Sequence, residues 1–228
     1  MSTDIEESRI AAARASKGTS SSAIYDAVVR DLKRLGAGGD VLDFGAGTGG
    51  FTHELRSLGS FSSIEAVDLL DFGVERLPGV HWFFSDLNMA LPRPPECYDV
   101  IVAVEVVEHL ENARALAREW FRLLRPNGRV IFSTPNNESW RSIVSLVARG
   151  HFGAFTGASY PAHITALLRL DTKRLLTEAG FADIEHSFTH SGGIPGRPTV
   201  SWQQASLGLL RGLRYSDNYV TTARKPAR

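Results

Sequence analysis

The sequence lacks the features that mark several specialised classes of protein. Its 228 residues include one cysteine, Cys97, so no internal disulfide can form. No stretch approaches the roughly 20 uninterrupted apolar residues of a membrane span. The first residues, MSTDIEE, have neither the basic start nor the apolar run of a secretory signal. These absences predict a cytoplasmic protein.

Net charge is also absent, because 25 Lys and Arg residues balance 25 Asp and Glu residues. A neutral chain argues against indiscriminate binding of nucleic acid. The charge is unevenly spread: residues 192–228 carry six positive side chains and a single negative one, Asp217. This basic tail would face an anionic substrate or a membrane surface, or it would form a solvated edge.

Short apolar runs alternate with helical patterns along most of the chain. The runs are Val41–Phe44, Ser63–Asp68, His81–Phe84, Tyr98–Val104 and Arg129–Ser133. Helical spacing of apolar residues covers residues 22–35, 51–58, 113–124 and 171–179. Near-continuous apolar strands separated by helices are typical of a parallel sheet covered on both faces. We predict an α/β fold with a Rossmann-like, doubly wound, mostly parallel sheet.

The C-terminal part departs from this alternation. Phe181–Thr189 and Asn218–Arg224 have strand character, and a Gly/Pro loop and a helical segment over Ser201–Leu213 lie between them. Two late strands with a long excursion between them predict a sheet of seven strands whose last strand is antiparallel. The excursion and the segment 149–161 are too long for plain connections, and long loops are usually functional or mobile.

A glycine-rich loop follows the first apolar run, in the sequence VLDFGAGTGG over residues 41–50. Gly45, Gly47 and Gly50 satisfy the dinucleotide pattern G-x-G-x-x-G, in which glycines let backbone N–H groups approach a ligand. Asp43 places a carboxylate in the same cleft. It would repel the phosphates of a dinucleotide and attract an ammonium or sulfonium group, which argues against an NAD-dependent dehydrogenase.

Acidic residues also end the next two strands. Asp68 could accept hydrogen bonds from both hydroxyls of a ribose. Asp86, followed by Leu87, lies where the edge of an adenine could be bound. One such acid is commonly a turn or helix cap. Three acids at three consecutive strand ends, behind a glycine loop, favour a ligand site.

A second cluster, Glu105, Glu108 and His109, follows the fourth strand. If a helical turn begins there, the spacing i, i+3 and i+4 places all three on one face. Two carboxylates and an imidazole could bind a divalent metal, or His109 could be a general base oriented by a glutamate. Two alternatives are a cluster that contacts the bound cofactor and positions it, and a cluster that only caps and rigidifies the turn.

Together these motifs resemble the class I S-adenosylmethionine-dependent methyltransferases. The resemblance rests on residues 41–49, 68, 85–87, 98–101 and 124–130. It implies S-adenosylmethionine as cofactor and S-adenosylhomocysteine as product. By resemblance, the methionine end is held at Gly45, Ala46, Gly47, Gly49 and Val104, the ribose at Asp68, and the adenine at Asp86 and Leu87, with Asp43, Leu69 and Glu105 also at the cofactor.

The turn at 105–110, followed by Ser-Thr-Pro-Asn at 133–136, is similar to one branch of that family. The branch contains ubiquinone-biosynthesis, polysaccharide and natural-product O-methyltransferases and small-RNA 2′-O-methyltransferases. In its metal-using members this turn and a later histidine hold the ion. The resemblance thus implies a Mg²⁺-like metal at Glu105, Glu108, His109 and His163, with His109 and Glu108 as catalytic residues.

Residues 164–171 lack the His-rich, aromatic stretch of the RNA-modifying members. We therefore expect methyl transfer to a hydroxyl of a small-molecule, sugar or lipid-linked acceptor. RNA 2′-O-methylation and a non-catalytic cofactor-binding module are the alternatives, nucleic acid is not an expected partner, and peripheral membrane contact is left open. We expect one domain over 1–228, with an N-terminal helical segment or lid at 1–35, a cofactor-binding core at 36–190, acceptor-covering insertions at 149–170 and 192–213, and the last strand at 217–226.

Overall fold

A seven-stranded sheet flanked by helices forms the centre of the computed structural model, which describes residues 2–72 and 77–227. The helices are α1 (Ser2–Ser16), α2 (Ser22–Arg34), α3 (Gly50–Leu58), α4 (Ala113–Leu123), α5 (Trp140–Arg149), α6 (Arg169–Ala179) and α7 (Trp202–Ala205). The strands are β1 (Gly39–Phe44), β2 (Phe61–Asp68), β3 (Val80–Phe84), β4 (Tyr98–Val104), β5 (Leu124–Pro135), β6 (Ala182–Phe188), β7 (Gly193–Ile194), β8 (Arg197–Ser201) and β9 (Asn218–Arg224).

The strand order is β3-β2-β1-β4-β5-β9-β6, and β7 pairs with β8 in a separate two-stranded hairpin. Strands β1 to β5 pair in parallel, whereas β9 runs antiparallel to both β5 and β6. The predicted α/β class, the doubly wound parallel sheet and its antiparallel last strand are confirmed. All five predicted apolar runs lie within strands β1 to β5.

The sheet is buried on both faces because its strands alternate between two apolar cores. On one face Leu42, Ile101 and Val130 pack with residues of α4 and α6. On the other face Val41 and Val102 pack with residues of α2 and α3. Adjacent residues of β1 therefore serve opposite cores, as the alternation of side chains in a strand requires.

The chain order reverses between β1 and β4, which are neighbours in the sheet although β2 and β3 come between them in sequence. In open α/β sheets this reversal opens a crevice at the carboxyl ends of the strands. The loops after β1, β2, β3 and β4 meet there. They are the segments that carry the predicted site residues.

The predicted helix over Ser201–Leu213 is wrong in extent. The helix α7 ends at Ala205, and a turn and loop follow it. Leu207, Gly208 and Gly212 have positive φ angles of 51°, 81° and 84°, a conformation that ends a right-handed helix. Helix α5, in contrast, was not predicted. Among residues 2–72 and 77–227, no helix is long and apolar enough to cross a bilayer.

Candidate active site

A cavity of about 500 Å³ lies at the carboxyl ends of β1, β2 and β4. The predicted residues that line it are Gly45, Ala46, Gly47, Asp68, Leu69, Asp86, Leu87, Val104, Glu105, His109 and His163. Asp43, Gly49 and Glu108 are close by in the chain but do not line it. The structure thus brings most of the predicted cofactor residues to one cavity.

The glycine loop approaches the N-terminal segment too closely for side chains. Gly47 has φ of 53°, and a Cβ atom on it would lie 2.7 Å from Cα of Gly18. The carbonyl oxygen of Gly18 accepts hydrogen bonds from the backbone N–H of Thr48 at 2.9 Å and from its hydroxyl at 3.0 Å. Gly47 is therefore required to join the loop to the segment that covers it.

Asp43 is buried directly below the glycine loop. Its Oδ2 accepts a hydrogen bond of 2.5 Å from the hydroxyl of Thr52, and its Oδ1 has no hydrogen-bond partner. Burial raises the pKa of Asp43 to about 7, although the bond from Thr52 opposes the rise. An unpartnered buried acceptor at this depth would favour a cationic ligand group nearby.

Asp68 connects the end of β2 to the glycine loop. Its Oδ2 accepts from the N–H of Gly47 at 2.8 Å, and its Oδ1 accepts from the N–H of Leu70 at 3.2 Å. Burial raises the pKa of Asp68, while these backbone donors act in the opposite direction. The side chain is positioned by the backbone and still faces the cavity, as recognition of a ribose would need.

Helix α1 covers the end of the cavity at Asp86 through one side chain that the sequence pattern did not reveal. Arg9 donates to Oδ2 of Asp86 at 2.6 Å and to both carboxylate oxygens of Glu111, at 3.0 and 2.6 Å. The other oxygen of Asp86 accepts from the backbone and side-chain amides of Asn88. No motif surrounds Arg9, so only the tertiary structure could identify it.

Glu105 and Glu108 form a buried carboxyl pair. The Oε1 of Glu105 accepts from the hydroxyl of Ser133 at 2.9 Å, and its Oε2 accepts from the side-chain amide of Asn218 at 2.8 Å. Glu108 is fully buried; the Thr134 hydroxyl donates to its Oε2 at 3.3 Å, and its Oε1 has no partner. Burial raises the pKa of both carboxyls, and their proximity raises that of Glu108 further.

Two histidines of the cavity, His109 and His163, are each held through Nδ1 by a backbone carbonyl. Nδ1 of His109 lies 2.8 Å from the carbonyl oxygen of Ala162, and Nδ1 of His163 lies 2.7 Å from that of Ala154. A carbonyl can only accept, so each Nδ1 carries the proton and each Nε2 keeps its lone pair. Burial lowers the pKa of His109 to about 4 and also lowers that of His163. Both rings are therefore neutral near pH 7.

The structure brings three of the four predicted metal ligands together. Atoms of Glu108, His109 and His163 that can bind a metal lie within 4.8 Å of one another. Glu105 is outside this group, since Ser133 and Asn218 occupy its carboxylate. The predicted helical turn starting at Glu105 is wrong in form, because Glu105 has φ of 56° and a 3-10 helix begins only at Val107.

Only one of the two predicted acceptor-covering insertions lies at the cavity. From 149–170, the residues Tyr160, Pro161, His163 and Ile164 line the cavity. Among its described residues, 192–213 contributes none to the lining. That segment instead forms the β7-β8 hairpin, helix α7 and the loop that follows α7.

Comparison with known proteins agrees with this geometry. The methyltransferase domain family matches residues 19–186, well over half of the chain. This chain belongs to that family, as a class I S-adenosylmethionine-dependent methyltransferase. The predicted family membership is confirmed.

Individual relatives of the methyltransferase are distant. It is 32% identical over 109 residues to the malonyl-[acyl-carrier protein] O-methyltransferase of Hahella chejuensis, covering 45% of this chain and 39% of that protein. It is 22% identical over 160 residues to the ubiquinone biosynthesis O-methyltransferase of Rickettsia conorii, covering 68% and 53%. The match thus spans about half or less of these two relatives. An S-adenosylmethionine-dependent methyltransferase of Thermotoga maritima shares the fold, with a TM-score of 0.65, 17% identity and 88% of both chains covered.

Proposed function

We propose that this methyltransferase transfers the methyl group of S-adenosylmethionine to a hydroxyl of a small-molecule, sugar or lipid-linked acceptor. The cluster of Glu108, His109 and His163 beside the cofactor cavity is the observation that carries the proposal. An unactivated hydroxyl is a weak nucleophile, and a cluster of this composition can help it to ionise. The named function of the two O-methyltransferase relatives supports oxygen as the methyl acceptor.

The cavity offers each part of the cofactor a suitable group. Asp68 would accept hydrogen bonds from the ribose hydroxyls. Asp86 would accept a hydrogen bond from the adenine amino group at Oδ2, which keeps a lone pair free beside its bond from Arg9. Asp43, below the loop, would favour the cationic methionine end. Most of the rate would then come from holding the acceptor oxygen in line with the methyl group in a cavity that excludes water.

The residues of the cluster fit a divalent metal. Because a backbone carbonyl holds Nδ1 of each ring, each Nε2 keeps its lone pair, an arrangement common to metal-binding histidines. The buried Oε1 of Glu108 has no hydrogen-bond partner and would become a ligand of the metal. When bound, such an ion would lower the pKa of an acceptor hydroxyl. Glu108, His109 and His163 would hold it, while Glu105, fixed by Ser133 and Asn218, would position the turn.

A metal-free mechanism uses the same residues differently. There His109 alone takes the hydroxyl proton at Nε2, and Ala162 orients the ring through Nδ1. A base with a pKa of about 4 is poorly matched to a hydroxyl at neutral pH. We favour the metal version because the ligand atoms of Glu108, His109 and His163 lie within 4.8 Å of one another, as binding of one shared ion requires.

Binding of Mn²⁺, followed by electron paramagnetic resonance, tests the cluster without requiring a known acceptor. The wild-type protein should bind one ion, and His163→Ala should weaken binding by more than about 10- to 100-fold, the range for losing a residue that only orients a ligand. The exposed His53 on α3 gives a matched control, and His53→Ala should bind Mn²⁺ normally. No binding in the wild-type protein, or equal binding in His163→Ala, would reject the metal site.

Transfer of a labelled methyl group tests the reaction itself. The label should appear in hydroxyl acceptors. A chelator should stop the transfer, and added Mg²⁺ or Mn²⁺ should restore it. If chelator has no effect while His109→Ala lowers turnover by about 10² to 10⁴, the metal-free version is correct. Transfer to RNA in preference to small hydroxyl compounds, or transfer to neither, would contradict the proposed function.

A further inference from the structure

Helix α5 has its amphipathic character reversed. The side chains that it buries against the protein are Ser142 and Ser145. Trp140, Val144 and Val147, spaced i, i+4 and i+7 on the opposite face, are 42%, 44% and 83% exposed. A surface helix of a globular protein normally turns its apolar residues inward. The outer face of α5 therefore has the composition of a surface that another phase or molecule covers.

Two further apolar side chains lie in the loop that follows α7. Leu207 and Leu209 are 95% and 85% exposed. The end of this loop is held close to the residues that precede α5, because the guanidinium of Arg214 donates to the backbone carbonyl of Glu138 at 2.6 Å. We call the outer face of α5 together with these two leucines the apolar surface.

Positive charge accompanies the apolar surface. Helix α5 contains Arg141 and Arg149 and has no acidic residue. The guanidinium of Arg214 lies 5.5 Å from the ring centre of Trp140. Arg141 is paired with Asp217 at 2.6 Å. Among the described residues no carboxylate forms an ion pair with Arg149 or Arg214, although the charge of Arg214 also acts on the nearby carboxylate of Glu138. An occupant with negative charge at the edge of an apolar phase would match this distribution.

We propose that the apolar surface docks on a bilayer that contains anionic lipids. The valines and leucines would enter the boundary between head groups and acyl chains, where Trp140 suits the interface. Arg214, which lies beside Trp140, would meet lipid phosphates. A helix of 10 residues buries little area, so the contact would be reversible and sensitive to salt.

The docked helix is connected to the catalytic cluster. The Oγ of Ser142, on the inner face of α5, accepts a hydrogen bond from the N–H of Gly153 at 3.0 Å. The next residue, Ala154, holds Nδ1 of His163. Docking would thus hold the His163 side of the cavity near the membrane, with α5 between them. If the proposed function is correct, this surface delivers a lipid-linked acceptor, and that step rests on the proposed function.

Cosedimentation with vesicles tests the docking. The wild-type protein should bind phosphatidylcholine vesicles that contain phosphatidylglycerol, bind phosphatidylcholine alone more weakly, and be released by salt. The double variant Val144→Asp/Val147→Asp should bind at least about 10-fold more weakly, since two exposed apolar groups become charged. Met89, which is 59% exposed in the loop after β3, provides the control Met89→Asp, expected to bind as the wild type does.

Three results would overturn the docking proposal: no binding to anionic vesicles, equal binding by the double variant, or equal binding to neutral and anionic vesicles. Analytical ultracentrifugation that shows a wild-type dimer and a monomeric double variant would assign the surface to a second copy instead. Calorimetry with S-adenosylhomocysteine, run on the same proteins, separates the two proposals. Normal cofactor binding without vesicle binding would reject docking and leave the proposed function standing.

Discussion

Removing the Arg9 side chain should accelerate release of the reaction product. Arg9 fixes α1 across the cavity through ion pairs with Asp86 and Glu111. A second attachment follows the helix, where the carbonyl of Gly18 accepts a hydrogen bond from Thr48 of the glycine loop. Lys17 and Gly18 both have positive φ angles, so the chain changes direction sharply between the helix and the loop. In Arg9→Ala, α1 keeps its attachment at Gly18 but loses the ion pairs at its centre.

The magnitude follows from the exposure of the three side chains. Arg9, Asp86 and Glu111 are 19%, 26% and 46% exposed. Hydrogen bonds between buried charged groups contribute about 1.5–3 kcal/mol each, whereas exposed ion pairs contribute about 0.2–1 kcal/mol. Partly exposed contacts lie between these limits, so we expect a loss of about 1–2 kcal/mol. Dissociation of S-adenosylhomocysteine should therefore become about 5- to 30-fold faster.

A chase experiment with labelled S-adenosylhomocysteine and excess unlabelled ligand measures this rate. Arg14→Ala, on an exposed position of the same helix, removes an arginine without touching Asp86 or Glu111 and should leave the rate unchanged. Dissociation as slow as in the wild type would refute the reasoning. Slower dissociation would mean that Arg9 competes with adenine for Asp86.

Three further substitutions address the cofactor loops. Asp68→Ala should weaken S-adenosylhomocysteine binding by about 2 kcal/mol or more, because the ribose loses a charged acceptor and Gly47 loses its partner; calorimetry showing normal affinity would remove Asp68 from the site. Gly47→Val should lower affinity and also increase proteolysis after Lys17, because a side chain there collides with Gly18; intact protection would contradict this. Burial raises the pKa of Asp43 from 3.8 to about 7. Between these two pH values the unfolded chain has lost the Asp43 proton and the folded chain keeps it, so the free energy of unfolding should fall as the pH rises from 4 to 7. Thermal melts of Asp43→Asn should show a flatter pH dependence, and an unchanged slope would assign the effect to other groups.

Much of the fold could be predicted because its signals are local. Apolar runs and helical spacing located strands β1 to β5 and four helices, since a parallel sheet buried on both faces requires continuous apolar strands. The strands predicted over Phe181–Thr189 and Asn218–Arg224 are confirmed as β6 and β9. The error at Ser201–Leu213 arose from apolar spacing that suits a helix, although Leu207 and Gly208 adopt positive φ angles. Helix α5 was missed although Trp140, Val144 and Val147 have helical spacing, which indicates a helix whichever of its faces is buried.

The site was predictable where motifs follow strands, and not where distant segments meet. The glycine loop, Asp68 and Asp86 each follow a strand, so their spacing was enough to place them at the cavity. Arg9 is 77 residues from Asp86 in sequence, and nothing around it signals the contact. The separate environment of Glu105 was equally hidden, because its partner Asn218 comes from the last strand.

Titration of S-adenosylhomocysteine into the cofactor-free protein tests the central claim most directly. Calorimetry should show one site per chain with a dissociation constant in the micromolar range, and the same protein should not bind NADH, because Asp43 lies below the loop where a dinucleotide would place its phosphates. Absence of S-adenosylhomocysteine binding, or comparable binding of NADH, would contradict the assignment of this cavity to S-adenosylmethionine.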